Sequence, residues 1–120
     1  MPKSGKEGIK VSPLVQEITA FLQAHIHEDD NLGRRLKFDY GDAGVVYIDG
    51  SQRPNVVHNR PEPADCTVYL APDVHWRMLH LELDQSEAFR RGQMRISGDV
   101  GAALRLRPIL QKNLAAEENL

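Results

Sequence analysis

The apolar residues of this chain change their spacing once, near residue 30, and that change limits the folds open to it. Before it, Leu14, Val15, Ile18, Phe21, Leu22 and Ile26 recur every three or four positions, the stripe of a helix with one buried face. After it, Leu36, Phe38 and Tyr40 alternate with Lys37 and Asp39, and Val45 to Ile48 follow across the turn Gly41-Asp42-Ala43-Gly44. Alternation marks a half-buried strand, and two such runs joined by a glycine-bearing turn read as a hairpin. Ser12-Pro13 supplies a hydroxyl cap and a proline at the first helical position. The acidic run from Glu28 to Asn31 should end the helix, because negative charge opposes the dipole at a helix C-terminus.

The rest of the chain continues the mixture. Asn55 to His58 is a short third strand, Arg60-Pro61-Glu62-Pro63 forces a loop, and Cys66 to Leu70 is a fourth strand. Pro72 opens a helix expected to carry Trp76, Leu79 and Leu83 on one side. Asp84 and Glu87 have the form of a capping box for a short helix presenting Phe89, which Gly92 ends. Met94 and Ile96 alternate with Arg95 in a fifth strand. Asp99 then caps a last helix with Val100, Ala103, Leu104 and Leu110 on its inner side, and Pro108 predicts a kink or a stop near residues 104–107. The order predicts an α+β domain with a five-stranded, mostly antiparallel sheet over residues 11–113, between a loose tail at 1–10 and a second tail at 114–120. A chain of 120 residues can bury roughly 65% of its unfolded surface and needs no staples.

The catalytic vocabulary is thin. MRISGDVGAALRL (Met94 to Leu106) has the strand, glycine turn, helix order of a phosphate loop, but Asp99 stands where the anion would bind and should accept from the first-turn N–H groups itself. His27-Glu28 begins a zinc motif whose second histidine is replaced by Asn31, and a calcium loop started at Asp29 meets Gly33 and Tyr40 at ligand positions. No nucleophile elbow surrounds a serine, and the histidines are scattered. Cys66 reads as a small buried hydrophobe in mid-strand. No catalytic residue, metal or cofactor is therefore expected. With a net charge of −2 there is no basic face for nucleic acid. Between Arg90 and Lys112, however, six cations face one anion, Asp99. Arg90, Arg91, Arg95, Arg105 and Arg107 are thus candidates for transient contact with an anionic membrane or a partner, against the plainer reading of a solvated face. No segment is long and apolar enough to span a bilayer.

Two passages carry a family resemblance. Ala64-Asp65-Cys66-Thr67-Val68-Tyr69-Leu70, followed after a helix by Glu82-Leu83-Asp84 and then by Ala88-Phe89-Arg90-Arg91-Gly92-Gln93-Met94-Arg95-Ile96-Ser97-Gly98-Asp99, resembles the sterol carrier protein type 2 family. The likeness runs from about Leu36 to Leu110, and Ala102 to Leu106 match the small and apolar helix that follows. One departure is Leu81, at a position often glycine in the family, which leaves room for the preceding helix to run on.

The resemblance implies helices on one side of the sheet and an apolar tunnel for a fatty acid, acyl chain, phospholipid or sterol, bound without catalysis and without a cofactor. Carried over by position, it makes Trp76, Leu79, Leu83, Phe89, Met94, Ile96, Val100, Ala103 and Leu104 the candidate ligand-binding residues, although each would equally suit a filled core. It implies a stand-alone, bacterial-type member. The ending Glu118-Asn119-Leu120 lacks the peroxisomal tripeptide of eukaryotic members, so a cytoplasmic location is expected. The alternative is a docking module whose groove receives a protein partner, for example in lipid or quinone metabolism. An acyl hydrolase or isomerase would further require a histidine within hydrogen-bond reach of a Ser, Asp or Glu in the pocket. A tunnel of about 300 Å³, the low end of ligand pockets, would cost roughly 7 kcal/mol if empty, so an occupant or a smaller pocket is expected.

Overall fold

Ser12 accepts a hydrogen bond from the Val15 N–H at 3.2 Å, and the first helix, α1 (Pro13–His25), starts on that cap. The structure is a computed structural model that describes residues 10–118; the expected tail at 1–10 lies outside them but for Lys10. Val15, Ile18 and Leu22 form the buried stripe of α1, which ends as Ile26 turns extended.

The strands are β1 (Arg35–Asp39), β2 (Val45–Asp49), β3 (Val56–His58), β4 (Cys66–Leu70) and β5 (Met94–Gly98). They form one sheet in the order β3-β2-β1-β4-β5, antiparallel except where β1 and β4 run parallel. Its register aligns Val46, Phe38, Val68 and Ile96 in one inward row and Ile48, Leu36 and Cys66 in the next. The outer face is apolar in one place: Tyr47, 1% exposed, stacks on His58 and donates to the Pro63 carbonyl, so the loop after β3 covers it.

Three further helices complete the fold: α2 (Pro72–Leu79), α3 (Gln85–Arg90) and α4 (Val100–Glu118). The capping-box expectation holds on one side, since Asp84 accepts from the Glu87 N–H at 3.3 Å. Asp99 accepts from the Gly101 N–H at 3.0 Å, taking the first-turn donor a phosphate would need.

Two expectations are corrected. The second helix stops at Leu79 instead of carrying Leu83, and Leu81 does not let it run on. Leu81 adopts φ 61°, while Glu82 N–H bonds the Arg77 carbonyl at 2.8 Å and Leu81 N–H the Met78 carbonyl at 3.1 Å. These are the two bonds of a Schellman stop, with leucine holding the left-handed position that glycine takes more cheaply. The last helix neither stops near residues 104–107 nor gives way to a tail at 114, but continues through Pro108 to Glu118. Pro108 lies on the exposed side, where water can take the carbonyl bond it cannot make.

The far end of α4 is held by a buried carboxylate. Asp30, 6% exposed, accepts from Lys112 Nζ at 2.7 Å, from Asn113 Nδ2 at 2.9 Å and from the His27 N–H at 2.8 Å. Burial alone would raise its pKa, but these bonds outweigh it and hold the carboxyl below the ordinary value. A depressed folded-state pKa adds stability above the unfolded pKa, about 4, that is lost as pH falls through the folded value. Asp30→Asn should therefore lose less stability than wild type between pH 7 and pH 3 in urea unfolding, and Asp30→Ala should cost about 2–3 kcal/mol at pH 7. Equal acid sensitivity of wild type and Asp30→Asn would contradict this role.

Candidate ligand cavity

Between the sheet, α2 and α4 the packing leaves an apolar cavity of about 120 Å³. Phe38, Val68 and Leu70 form its sheet wall with Met94 and Ile96 of β5, because inward positions on neighbouring strands align. His75, Met78 and Leu79 close one side from α2, at the i, i+3, i+4 spacing of a single helix face. Ala103, Leu106, Leu110 and Leu114 close the other from α4. The mouth lies where the lining becomes exposed, at Leu81, Arg107 and Gln111, with Leu83 and Gln85 beside it.

The volume is below the roughly 300 Å³ low end of ligand pockets. At about 24 cal/mol per Å³ such a void costs at most about 3 kcal/mol, which a domain can carry. A long hydrocarbon cannot fit without movement of the wall. The weakest part of that wall is the connection between the short helices α2 and α3, where Leu81 is 79% exposed.

The candidate residues divide. Leu79, Leu83, Met94, Ile96 and Ala103 line the cavity. Trp76 lies on the other side of α2, against Phe21 of α1 and His80, with ring centroids 6.3 Å and 4.3 Å away. Phe89, Val100 and Leu104 are outside the lining and 56%, 47% and 59% exposed. For α4 this is an error of helical phase: its buried positions are Ala102, Leu106, Leu110 and Asn113, a stripe rotated from Val100 and Leu104. Asn113 hid that stripe, since a polar residue at a buried position looks like a solvated one. The spacing of Ala103, Leu106, Leu110 and Leu114 was the available signal.

The arginines do not form one surface. Arg90 and Arg91 both pair with Glu87, and Arg95 lies 4.2 Å over the Tyr69 ring on the outer sheet face. Arg105 donates to the Leu32 carbonyl at 3.2 Å, and Arg107 stands at the cavity mouth. Closeness in sequence is dispersed by a strand and a helix that present alternate residues in different directions.

One polar pair reaches the cavity, and sequence patterning missed it. His75, 3% exposed, lies 4.3 Å from the Phe38 ring, with its Nδ1 2.6 Å from the Tyr40 hydroxyl. Burial pushes the His75 pKa down to about 3 and that of Tyr40 well up, so both are neutral at pH 7. No Ser, Asp or Glu lines the cavity, so the histidine there has none of the partners a hydrolase or isomerase would use. Among the described residues there is no cluster of three or more His, Cys, Asp or Glu placed to hold a metal, and no helix is long and apolar enough to cross a membrane.

The sequence model of the SCP-2 sterol transfer family matches residues 8–111. No curated protein sequence matches the chain. The fold is similar to that of sterol carrier protein 2 from Yarrowia lipolytica in its apo form, with a TM-score of 0.68 and 17% identity over 88% of this chain and 97% of that one. It is also similar to a UbiJ-SCP2 ubiquinone synthesis protein, with a TM-score of 0.63 and 20% identity over 84% and 96% of the two chains. A third likeness is to sterol carrier protein 2 from Aedes aegypti in complex with the C16 fatty acid palmitate, at TM-score 0.58 and 17% identity over 81% and 90%. At these identities the likenesses establish the fold.

Proposed function

Because this chain belongs to the SCP-2 sterol transfer family, we propose that it binds a hydrophobic ligand in the cavity between the sheet, α2 and α4 and carries it without turnover. The observation that carries the reading is an apolar cavity with an open mouth, enclosed by elements the family shares. Leu79, Leu83, Met94, Ile96 and Ala103 would contact the ligand. Fatty acids, other acyl chains, phospholipids, sterols and isoprenoids all fit this chemistry, since each methylene buried contributes about 0.8 kcal/mol with no polar contact needed. The palmitate complex of the Aedes aegypti protein supports the same use of the fold. The Aedes ligand is longer than a cavity of about 120 Å³ holds, so uptake would displace the α2–α3 connection or α4. Anionic membrane contact would fall to Arg107, at the mouth, rather than to a continuous basic face.

Mass spectrometry of native protein after mild purification should show a co-purifying lipid. Thermal unfolding across a panel of lipids should show a ligand that raises Tm, since a ligand at 100 times its Kd adds about 2.7 kcal/mol. Absence of both would defeat the proposal. The likeness to a ubiquinone synthesis protein favours one second reading, a docking module whose groove takes apolar side chains of a partner. Stoichiometric protein without lipid in pull-downs from native extract would favour it.

A further inference from the structure

The cavity contains one polar point that the burial of hydrocarbon alone does not call for. His75 lines it while being 3% exposed, and the Tyr40 hydroxyl beside its Nδ1 belongs to a residue 6% exposed. A buried phenol has to give its proton to an acceptor, and Nδ1 is the one acceptor Tyr40 meets among the described residues. Tyr40 therefore donates, Nδ1 accepts, and the ring proton sits on Nε2. Nε2 has no hydrogen-bond partner among the described residues. The fully enclosed side-chain polar atoms lacking a partner are Asn55 Oδ1 and Gln93 Oε1, so Nε2 keeps access to the void its residue lines. Phe38, stacked on the imidazole at 4.3 Å and 33°, limits its rotation. An N–H left without an acceptor among apolar walls is a standing cost, which a leucine or phenylalanine at this position would avoid.

We infer that the cavity takes an apolar molecule whose inner end carries an uncharged oxygen acceptor, a hydroxyl, carbonyl or ester, that receives a hydrogen bond from Nε2 of His75. Tyr40 acts as the positioning residue that fixes the tautomer. The inference rests on the carrier reading and narrows its ligand. The ring stays neutral, with its pKa near 3, so it offers a dipole and no charge. An ionised carboxylate brought to the same point would lose its water without meeting a cation, and belongs at the mouth with Arg107.

The test compares 1-octanol with nonane, equal in heavy atoms and differing in one hydroxyl, by calorimetric titration of wild type and of the double variant Tyr40→Phe/His75→Phe. Replacing both partners by rings of similar shape leaves no orphaned polar group. The double variant should bind nonane as wild type does and lose about tenfold for octanol, the equivalent of one hydrogen bond. If both probes bind and change by the same factor, the acceptor inference fails and the carrier reading stands. If neither binds wild type, both fail. A second readout needs no variant: in the imidazole ¹⁵N spectrum of wild type, octanol should shift Nε2 of His75 and nonane should not, and a bound octanol that leaves it unmoved overturns the inference.

Discussion

Ala103→Phe is expected to abolish ligand uptake while leaving the protein at least as stable as wild type. Ala103 lies on the cavity side of α4, facing a void of about 120 Å³, and a phenyl ring built there enters space that no side chain occupies. Filling a void commonly adds about 0.5–2 kcal/mol, so urea unfolding should show an equal or higher midpoint. Affinity for a C16 fatty acid, or for the lipid found to co-purify, should fall at least about a hundredfold, because the ring and the hydrocarbon compete for one volume. Leu104→Phe is the control. It adds bulk one residue along, on the exposed side of the same helix, and should change neither quantity. Unaltered affinity in Ala103→Phe, with Leu104→Phe also silent, would show that the ligand binds elsewhere.

Gly98→Ala should be among the most damaging single-methyl additions in the chain. Gly98 has φ +93°, and a Cβ there would stand 2.4 Å from the Asp65 carbonyl oxygen. That contact is backbone against backbone, so no flexible side chain can give way. The close approach exists because Asp99 N–H bonds the same carbonyl at 2.8 Å while the Asp65 carboxylate accepts from Arg35 N–H at 2.8 Å. One residue thereby ties the start of β1, the start of β4 and the start of α4. The expected cost is at least about 3 kcal/mol, or a fall in Tm on the order of 10 °C. Gly92→Ala separates the two contributions: Gly92 has φ +75° and nothing near its missing Cβ, so it should cost only the conformational penalty of about 1–2 kcal/mol. Equal midpoints for the two variants would mean that the chain relaxes around residue 98 and that the clash carries no weight.

These positions also show why the sequence was legible where it was. Strand β4 fell on Cys66 to Leu70 because alternation is a period-two signal bounded there by prolines on both sides. The Ser12 and Asp99 caps were legible because a capping side chain acts on N–H groups two or three residues away. The same locality explains the misses. The stop after Leu79 depends on a leucine accepting a glycine's conformation, which composition argues against. The helix through Pro108 holds because packing on both sides of the break outweighs a local preference. Trp76, Phe89, Val100 and Leu104 were assigned to the cavity because they are apolar, and an apolar side chain carries no mark of which partner it faces. His75 was passed over because nothing in the sequence links it to Tyr40, 35 positions earlier.

The sequence by itself determined the class of fold, the number and order of strands, the family, and the absence of local motifs for phosphate or metal binding, since all of these are written in short-range spacing. The tertiary structure alone decided the rest: the parallel pairing of β1 with β4, the dispersal of the arginines, the size of the cavity and the polar point inside it. Each of these depends on where residues far apart along the chain meet. That is set by how whole faces pack against one another, and spacing along the chain does not encode it.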